Sequence, residues 1–256
     1  MKIVRFKRLK KVSYGILENN YILSCKGNPF SSMPSFVPDG SQFALSEVKL
    51  LPPCQPGKLV CLGLNYRKHA EEFKVPIPEV PLLFLKPSTA VIGPDDNIIL
   101  PRLAERIDYE CELAVVIGRQ AKDVPETRYA DYVLGYTCFN DVTDRVAQAK
   151  DGQWTRAKGY DTFAPVGPWI DTEASPFDLK IETRLNGEVK QSSRTSDLIF
   201  PVPRLVNLIS SIMTLMPGDI IASGTPSGVG QLKNGDVVEI VIEKIGTLRN
   251  TALDSV

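Results

Sequence analysis

The sequence predicts a mainly β fold with some α, an α+β class, and three observations carry that reading. From residue 160 onward, short apolar runs are separated by turn signals, and helical periodicity is scarce. Asn186-Gly187 is the two-residue turn of a hairpin, and Asn234-Gly235-Asp236 turns the chain into a strand at Val237 to Ile242. The run Leu113-Ala114-Val115-Val116-Ile117 is strand-like and ends at Gly118. The pattern argues against a doubly wound α/β sheet.

The remaining elements follow in order. Residues 1–56 read as a small β-rich module. Strands over Val12 to Leu17 and Tyr21 to Ser24 flank the turn Glu18-Asn19-Asn20, and Phe30 to Gly40 reads as a loop. Pro52-Pro53 and Pro56-Gly57 mark a boundary, so residues 57–256 form the larger domain. Lys58 to Leu64 and Pro81 to Pro87 are apolar strands, with a short helix from Arg67 to Phe73 between them. Val142 to Lys150 is the best helical window, and Asp141 is placed to cap it. Trp154 to Trp169 is turn-rich and aromatic. Leu198 to Met216 carries helical spacing, and Ile220 to Ala222 is a strand leading into a Gly-rich loop.

Composition excludes several function classes. The 256 residues carry 30 basic and 30 acidic side chains, so no charge excess points to nucleic acid or a membrane surface. No window approaches the length of a membrane helix. The basic start, Met1 to Arg8, lacks the apolar segment of a signal peptide. Cys25, Cys54, Cys61, Cys111 and Cys138 show no paired spacing and suit a reducing cytoplasm.

The chemistry starts at Glu110 and Glu112. Side chains two apart on a strand leave the same face, so these carboxylates point together. Asp141 closes a second apolar run. Three carboxylates brought together repel unless a cation sits among them, and an all-oxygen set suits Mg2+, Mn2+ or Ca2+. The plain alternative is the solvated face of a half-buried strand.

His69 is the only histidine, and Glu72 lies three residues on, one helical face away. A carboxylate beside an imidazole fixes its tautomer, as a general base requires. The alternative is a surface pair. Lys158 sits among apolar and aromatic residues, where an ammonium can stabilise an enolate or oxyanion; the alternative is a solvated lysine. With Asp141 as cap, Arg145 and Gln148 fall near one helix face. The loop Ser223-Gly224-Thr225-Pro226-Ser227-Gly228-Val229-Gly230 lacks the Gly-Lys-Ser/Thr of a phosphate loop, but its N–H groups suit a carboxylate.

Six segments then fall into one order. Gly63-Leu64-Asn65-Tyr66-x-x-His69-x-x-Glu72, Phe84-Leu85-Lys86-Pro87, Glu110-x-Glu112-Leu113, Asn140-Asp141-Val142-Thr143, Lys158-Gly159-Tyr160-Asp161-Thr162 and Gly224-Thr225-Pro226-x-Gly228-Val229-Gly230 together resemble the fumarylacetoacetate hydrolase family. The short N-terminal module resembles that of its 2-hydroxyhepta-2,4-diene-1,7-dioate isomerase and acylpyruvase branch. The resemblance implies a mixed β-roll, a homodimer, and Mg2+ or Mn2+ held by Glu110, Glu112 and Asp141. It implies that His69 and Glu72 activate water and that Lys158 faces the substrate's oxygen. It further implies that Arg145 and Gln148 lie near a bound 2-oxo acid, and that Thr225, with Gly224, meets the acid's carboxylate. Asp144 departs from the small residue expected there, which places a charge beside Arg145.

The expected activity is metal-dependent C–C hydrolysis of an acylpyruvate-type 2,4-dioxo acid. Isomerisation, tautomerisation or decarboxylation of a related keto acid is the alternative on the same scaffold. A metal-stabilised binding module without turnover is the reading of another class, opposed by the intact His69, Glu72 and Lys158.

Overall fold

The computed structural model describes residues 1–255. Its main element is a 12-stranded sheet. In spatial order the path runs Val37–Ala44, Tyr21–Lys26, Lys11–Glu18, Lys2–Arg8, Ala164–Asp171, Val133–Asn140, Cys111–Ile117, Ile220–Ala222, Leu59–Leu62 and Leu83–Lys86. The N-terminal strands therefore extend the main sheet, with Lys2 opposite Asp171. A 5-stranded sheet (Glu188–Arg194, Lys180–Leu185, Val237–Ile242, Gly246–Asp254, Asn97–Leu100) packs against it. Most pairings are antiparallel, but Ile220–Ala222 runs parallel to Leu59–Leu62, and Gly246–Asp254 parallel to Asn97–Leu100. The fold is the mainly β, mixed architecture the sequence predicts. Among the described residues no helix is long and apolar enough to cross a membrane.

Among the described residues four α-helices accompany the sheets: α1 (Arg67–Phe73), α2 (Arg145–Asp151), α3 (Thr155–Lys158) and α4 (Val202–Ile212). Strand Cys111–Ile117 explains why the chain carries a continuous apolar run. Leu113, Val115 and Ile117 enter one core and Ala114 and Val116 the other, so both faces of the strand are covered. Glu110 and Glu112 share the parity of Ala114 and Val116. The plain alternative of a half-solvated strand is thereby excluded.

Several boundaries move, each for a local reason. α1 matches its expected bounds. The helix expected from Val142 begins instead at Arg145, because Asp144, not Asp141, is its cap: Asp144 Oδ1 accepts from the N–H groups of Val146 and Ala147 at 3.1 Å. Asp141 is left free of capping duty. The helix expected from Leu198 starts at Val202, since Pro201 imposes an extended residue before it. The turn-rich stretch after Trp154 contains α3 and strand Ala164–Asp171, and the loop expected to Gly40 gives way to a strand at Val37. The strand expected at Val237 to Ile242 is present with those bounds, and Gly246–Asp254 follows and pairs with it. The hairpin turns hold: Asn19, Asn20, Asn186 and Gly187 all take positive φ, as two-residue turns require.

Candidate active site

The ends of four neighbouring strands supply the site. Glu110 and Glu112 lie at the start of Cys111–Ile117. Asn140 and Asp141 end the adjacent antiparallel strand, where Asn140 stands opposite Cys111. Ser223 and Gly224 follow Ile220–Ala222, and Gly63 to Tyr66 follow Leu59–Leu62 and lead into α1. The backbone then fixes the carboxylates. The Glu110 N–H donates to Asn140 Oδ1 at 2.9 Å, and the Asp141 N–H donates to the Glu110 carbonyl at 2.9 Å. The Gly224 N–H donates to Glu112 Oε2 at 2.8 Å. Glu110, Glu112 and Asp141 are all buried, and each offers an oxygen within 4.8 Å of the others.

Three cations stand around this cluster. Lys158 Nζ donates to Glu110 Oε2 at 2.9 Å and Asp141 Oδ2 at 2.6 Å. Lys86 Nζ donates to Asp141 Oδ1 at 2.5 Å and to the Val142 carbonyl at 3.0 Å. Arg145 donates to Glu110 Oε1 at 2.5 Å, to Asp108 Oδ2 at 3.0 Å and to Gln148 Oε1 at 2.8 Å. Asp144 thus caps the helix and takes no part in Arg145's hydrogen bonds. Lys158 is 2% exposed, which rules out the solvated lysine, and its ammonium lies 5.0 Å from the Phe84 ring.

Electrostatics divide the carboxylates. Burial opposes the charge on Glu110, but Lys158 and Arg145 overcome it and hold that carboxyl well below its ordinary range. Burial, with Asp141 and Glu110 alongside, pushes Glu112 well above its ordinary value. Burial also opposes the charge on Lys158, yet Asp141 and Glu110 outweigh it and raise the ammonium. For Lys86 burial prevails and lowers it.

The donor set fits a divalent ion. Glu112 Oε1 is buried and has no hydrogen-bond partner. An unpartnered carboxylate oxygen, beside two further carboxylates, is costly without a cation and suits Mg2+ or Mn2+. Glu110, Glu112 and Asp141 would hold it.

His69 is buried in α1 and is not half of a surface pair. Its Nδ1 lies 2.9 Å from Glu72 Oε2. An ionised carboxylate only accepts, so Nδ1 carries the hydrogen and neutral His69 keeps Nε2 as acceptor. Glu72 Oε1 in turn accepts from the Gly228 N–H at 3.1 Å. The Gly-rich loop therefore grips two carboxylates of its own chain, Glu112 through Gly224 and Glu72 through Gly228. Thr225 is buried, and its hydroxyl accepts from Gln191 Nε2 at 2.9 Å.

Four of these groups, His69, Glu110, Arg145 and Gln148, line a cavity of about 370 Å³ whose remaining wall is apolar. Sequence reasoning assigned no role to Lys86, Asp108 or Gln191. A lysine inside the apolar strand Leu83–Lys86 was the available signal for the first. Asp108 and Gln191 carried none.

Comparison with known proteins agrees in family. Residues 58–252 match the model described as fumarylacetoacetate (FAA) hydrolase C-terminal, and residues 1–53 match that described as Rv2993c-like, N-terminal. The crystal structure of 2-hydroxyhepta-2,4-diene-1,7-dioate isomerase from Mycobacterium marinum superposes with a TM-score of 0.93. It is 43% identical, with 100% of this chain and 99% of that one covered. Oxaloacetate tautomerase Fahd2a, mitochondrial, of Rattus norvegicus is 43% identical over 78% of this chain and 68% of its own length. Maleylpyruvate hydrolase from Sphingobium sp. SYK-6, solved with manganese (II) ion and pyruvate, gives a TM-score of 0.83 at 28% identity, with 100% of both chains covered.

Proposed function

The chain belongs to the fumarylacetoacetate hydrolase family, and from that premise we propose a divalent-metal-dependent enzyme acting on small 2-oxo or 2,4-dioxo acids. We further propose that it hydrolyses a C–C bond of an acylpyruvate-type substrate. One observation carries the reading: three buried carboxylates gather within 4.8 Å, and one of them, Glu110, lines the same cavity as His69 of the His69–Glu72 dyad. The maleylpyruvate hydrolase solved with manganese and pyruvate supports both the ion and the 2-oxo acid head.

The ion, when bound, supplies Lewis-acid polarisation of the substrate's oxygens. The chain's own residues do the rest. Glu72 holds His69 with Nε2 free, and that nitrogen takes a proton from the attacking water. Attack on the distal carbonyl gives a tetrahedral adduct. Its collapse breaks the C–C bond, releases the carboxylic acid and leaves the electron pair on the pyruvate half as an enolate, which takes up the proton held by His69 to become pyruvate. The Lys158 ammonium, fixed by Glu110 and Asp141, stabilises negative charge there electrostatically. Arg145 and Gln148 border the cavity beside Glu110 and orient the acid, while Gln191 steadies Thr225 in the loop behind.

Tautomerisation is the second reading, favoured by the named tautomerase at 43% identity. It needs the enolate and no attacking water. Turnover of acetylpyruvate and oxaloacetate, assayed side by side with Mg2+ or Mn2+, separates the two. Pyruvate and acetate released from acetylpyruvate are expected; interconversion of oxaloacetate tautomers alone would favour the second reading.

A further inference from the structure

We propose that the distal group of the substrate is uncharged and apolar, an alkyl or aryl tail carried on the 2-oxo or 2,4-dioxo acid head. The inference rests on the reading above and specifies its substrate class. Beyond the polar side, the cavity wall is built from Leu64, Phe73, Val75, Pro76, Leu82 and Trp154. At about 370 Å³ the cavity holds roughly a dozen waters at liquid density, more than a pyruvate head displaces.

The wall is preformed. The Trp154 ring stands edge-on to Phe84, with centroids 5.3 Å apart. It lies so close over Gly63 that a Cβ there would fall 2.4 Å from it, so glycine makes the seat for the indole. Phe73 packs edge-on to His69 at 4.8 Å. Phe73 and Val75 are each 44% exposed and Leu82 is 51% exposed, so three apolar side chains gather at one mouth with surface left to cover.

A charged tail meets no unpaired cation there. Among the described residues that line the cavity, Arg145 is the one permanent cation. Its Nε is taken by Asp108, one terminal nitrogen by Gln148 and the other by Glu110. A second carboxylate would lose water against apolar walls and meet only a guanidinium whose charge is already balanced by Asp108 and Glu110. An alkyl tail loses nothing and covers the exposed faces, each buried methylene being worth about fourfold in affinity.

The test is calorimetric binding to the Mn2+-loaded protein, with no turnover required. Three ligands share one head: pyruvate, 2-oxohexanoate and 2-oxoglutarate, the last two nearly isosteric. Pyruvate is expected to bind, 2-oxohexanoate to bind about tenfold or more tighter, and 2-oxoglutarate no tighter than pyruvate. Leu82→Arg, at a half-exposed position, should shift the ratio of the longer ligands at least tenfold toward 2-oxoglutarate. Wild-type protein that binds 2-oxoglutarate as tightly as 2-oxohexanoate, or a Leu82→Arg protein with an unmoved ratio, overturns the proposal while the 2-oxo acid reading stands. Failure of all three ligands, pyruvate included, overturns that reading and this inference with it.

Discussion

The backbone N–H of Gly228 donates to Glu72 Oε1 at 3.1 Å, joining residues 156 apart in the chain. The loop that looked suited to a ligand's carboxylate thereby orients the carboxylate of the dyad. Gly228 sits at φ +97, and a Cβ there would lie 2.4 Å from the Lys190 carbonyl oxygen. Gly228→Ala must shift the loop and strain the backbone by about 1–3 kcal/mol. We expect kcat for C–C hydrolysis to fall about tenfold or more while Mn2+ affinity holds, because Glu112 is gripped by Gly224 and not by Gly228. Metal binding and kcat measured on one preparation decide it; equal losses in both would refute the separation.

His69 should divide the two chemistries. It is the only histidine, so no other imidazole covers its loss. His69→Gln is expected to lower acylpyruvate hydrolysis by at least about a hundredfold. Metal content should be unchanged, since His69 is not among the proposed ligands, and oxaloacetate turnover should fall less. Equal losses on both substrates would mean that the base also serves enolisation.

Stability without metal should depend on pH through Glu112. Its folded value is raised by burial and by Asp141 and Glu110. The folded state therefore binds the proton more tightly than the unfolded chain. Stability is lost as pH rises above the ordinary carboxylate range of about 4.3. Glu110 has the opposite sign: its folded value is lowered, so its contribution is present above that range and lost as pH falls. Thermal midpoints in chelator should decline with rising pH for wild type. They should decline less for Glu112→Gln, which also loses metal. Identical slopes for the two proteins would contradict this.

Lys86 is expected to oppose the metal while supporting the metal-free site. Its ammonium is buried on Asp141, beside a second ammonium from Lys158. Lys86→Met removes a positive charge near the ion and keeps the side-chain volume. Mn2+ should bind tighter, and the metal-free protein should lose stability on the order of 3 kcal/mol. Chemical unfolding with and without Mn2+ measures both; weaker Mn2+ binding would instead show that Lys86 holds Asp141 in its ligating pose.

We also propose a homodimer, on family grounds and because twofold association is the commonest oligomer. Light scattering at micromolar concentration should give about twice the 28.3 kDa of one chain.

Spacing rules alone determined a good part of this protein. The period of two on a strand put Glu110 beside Glu112, the period of helix α1 put His69 beside Glu72, and the Asn-rich and Asn-Gly turns placed the hairpins. These are short-range relations, governed by backbone geometry within a few residues, and they are legible wherever the residues lie. Other features depended on the tertiary structure. Asp144 displaced Asp141 as helix cap because Asp141 is turned toward Lys86 and Lys158, 55 and 17 residues away. The Gly-rich loop grips Glu112 because strand pairing brings residue 224 against 112, and it grips Glu72 because helix α1 places that carboxylate beside residue 228. The apolar far wall came from the meeting of Leu64, Phe73, Val75, Leu82 and Trp154, whose separate positions carry no shared period. Ion pairing and cavity shape follow distance in space, and only the folded sheet converts separation along this chain into that distance.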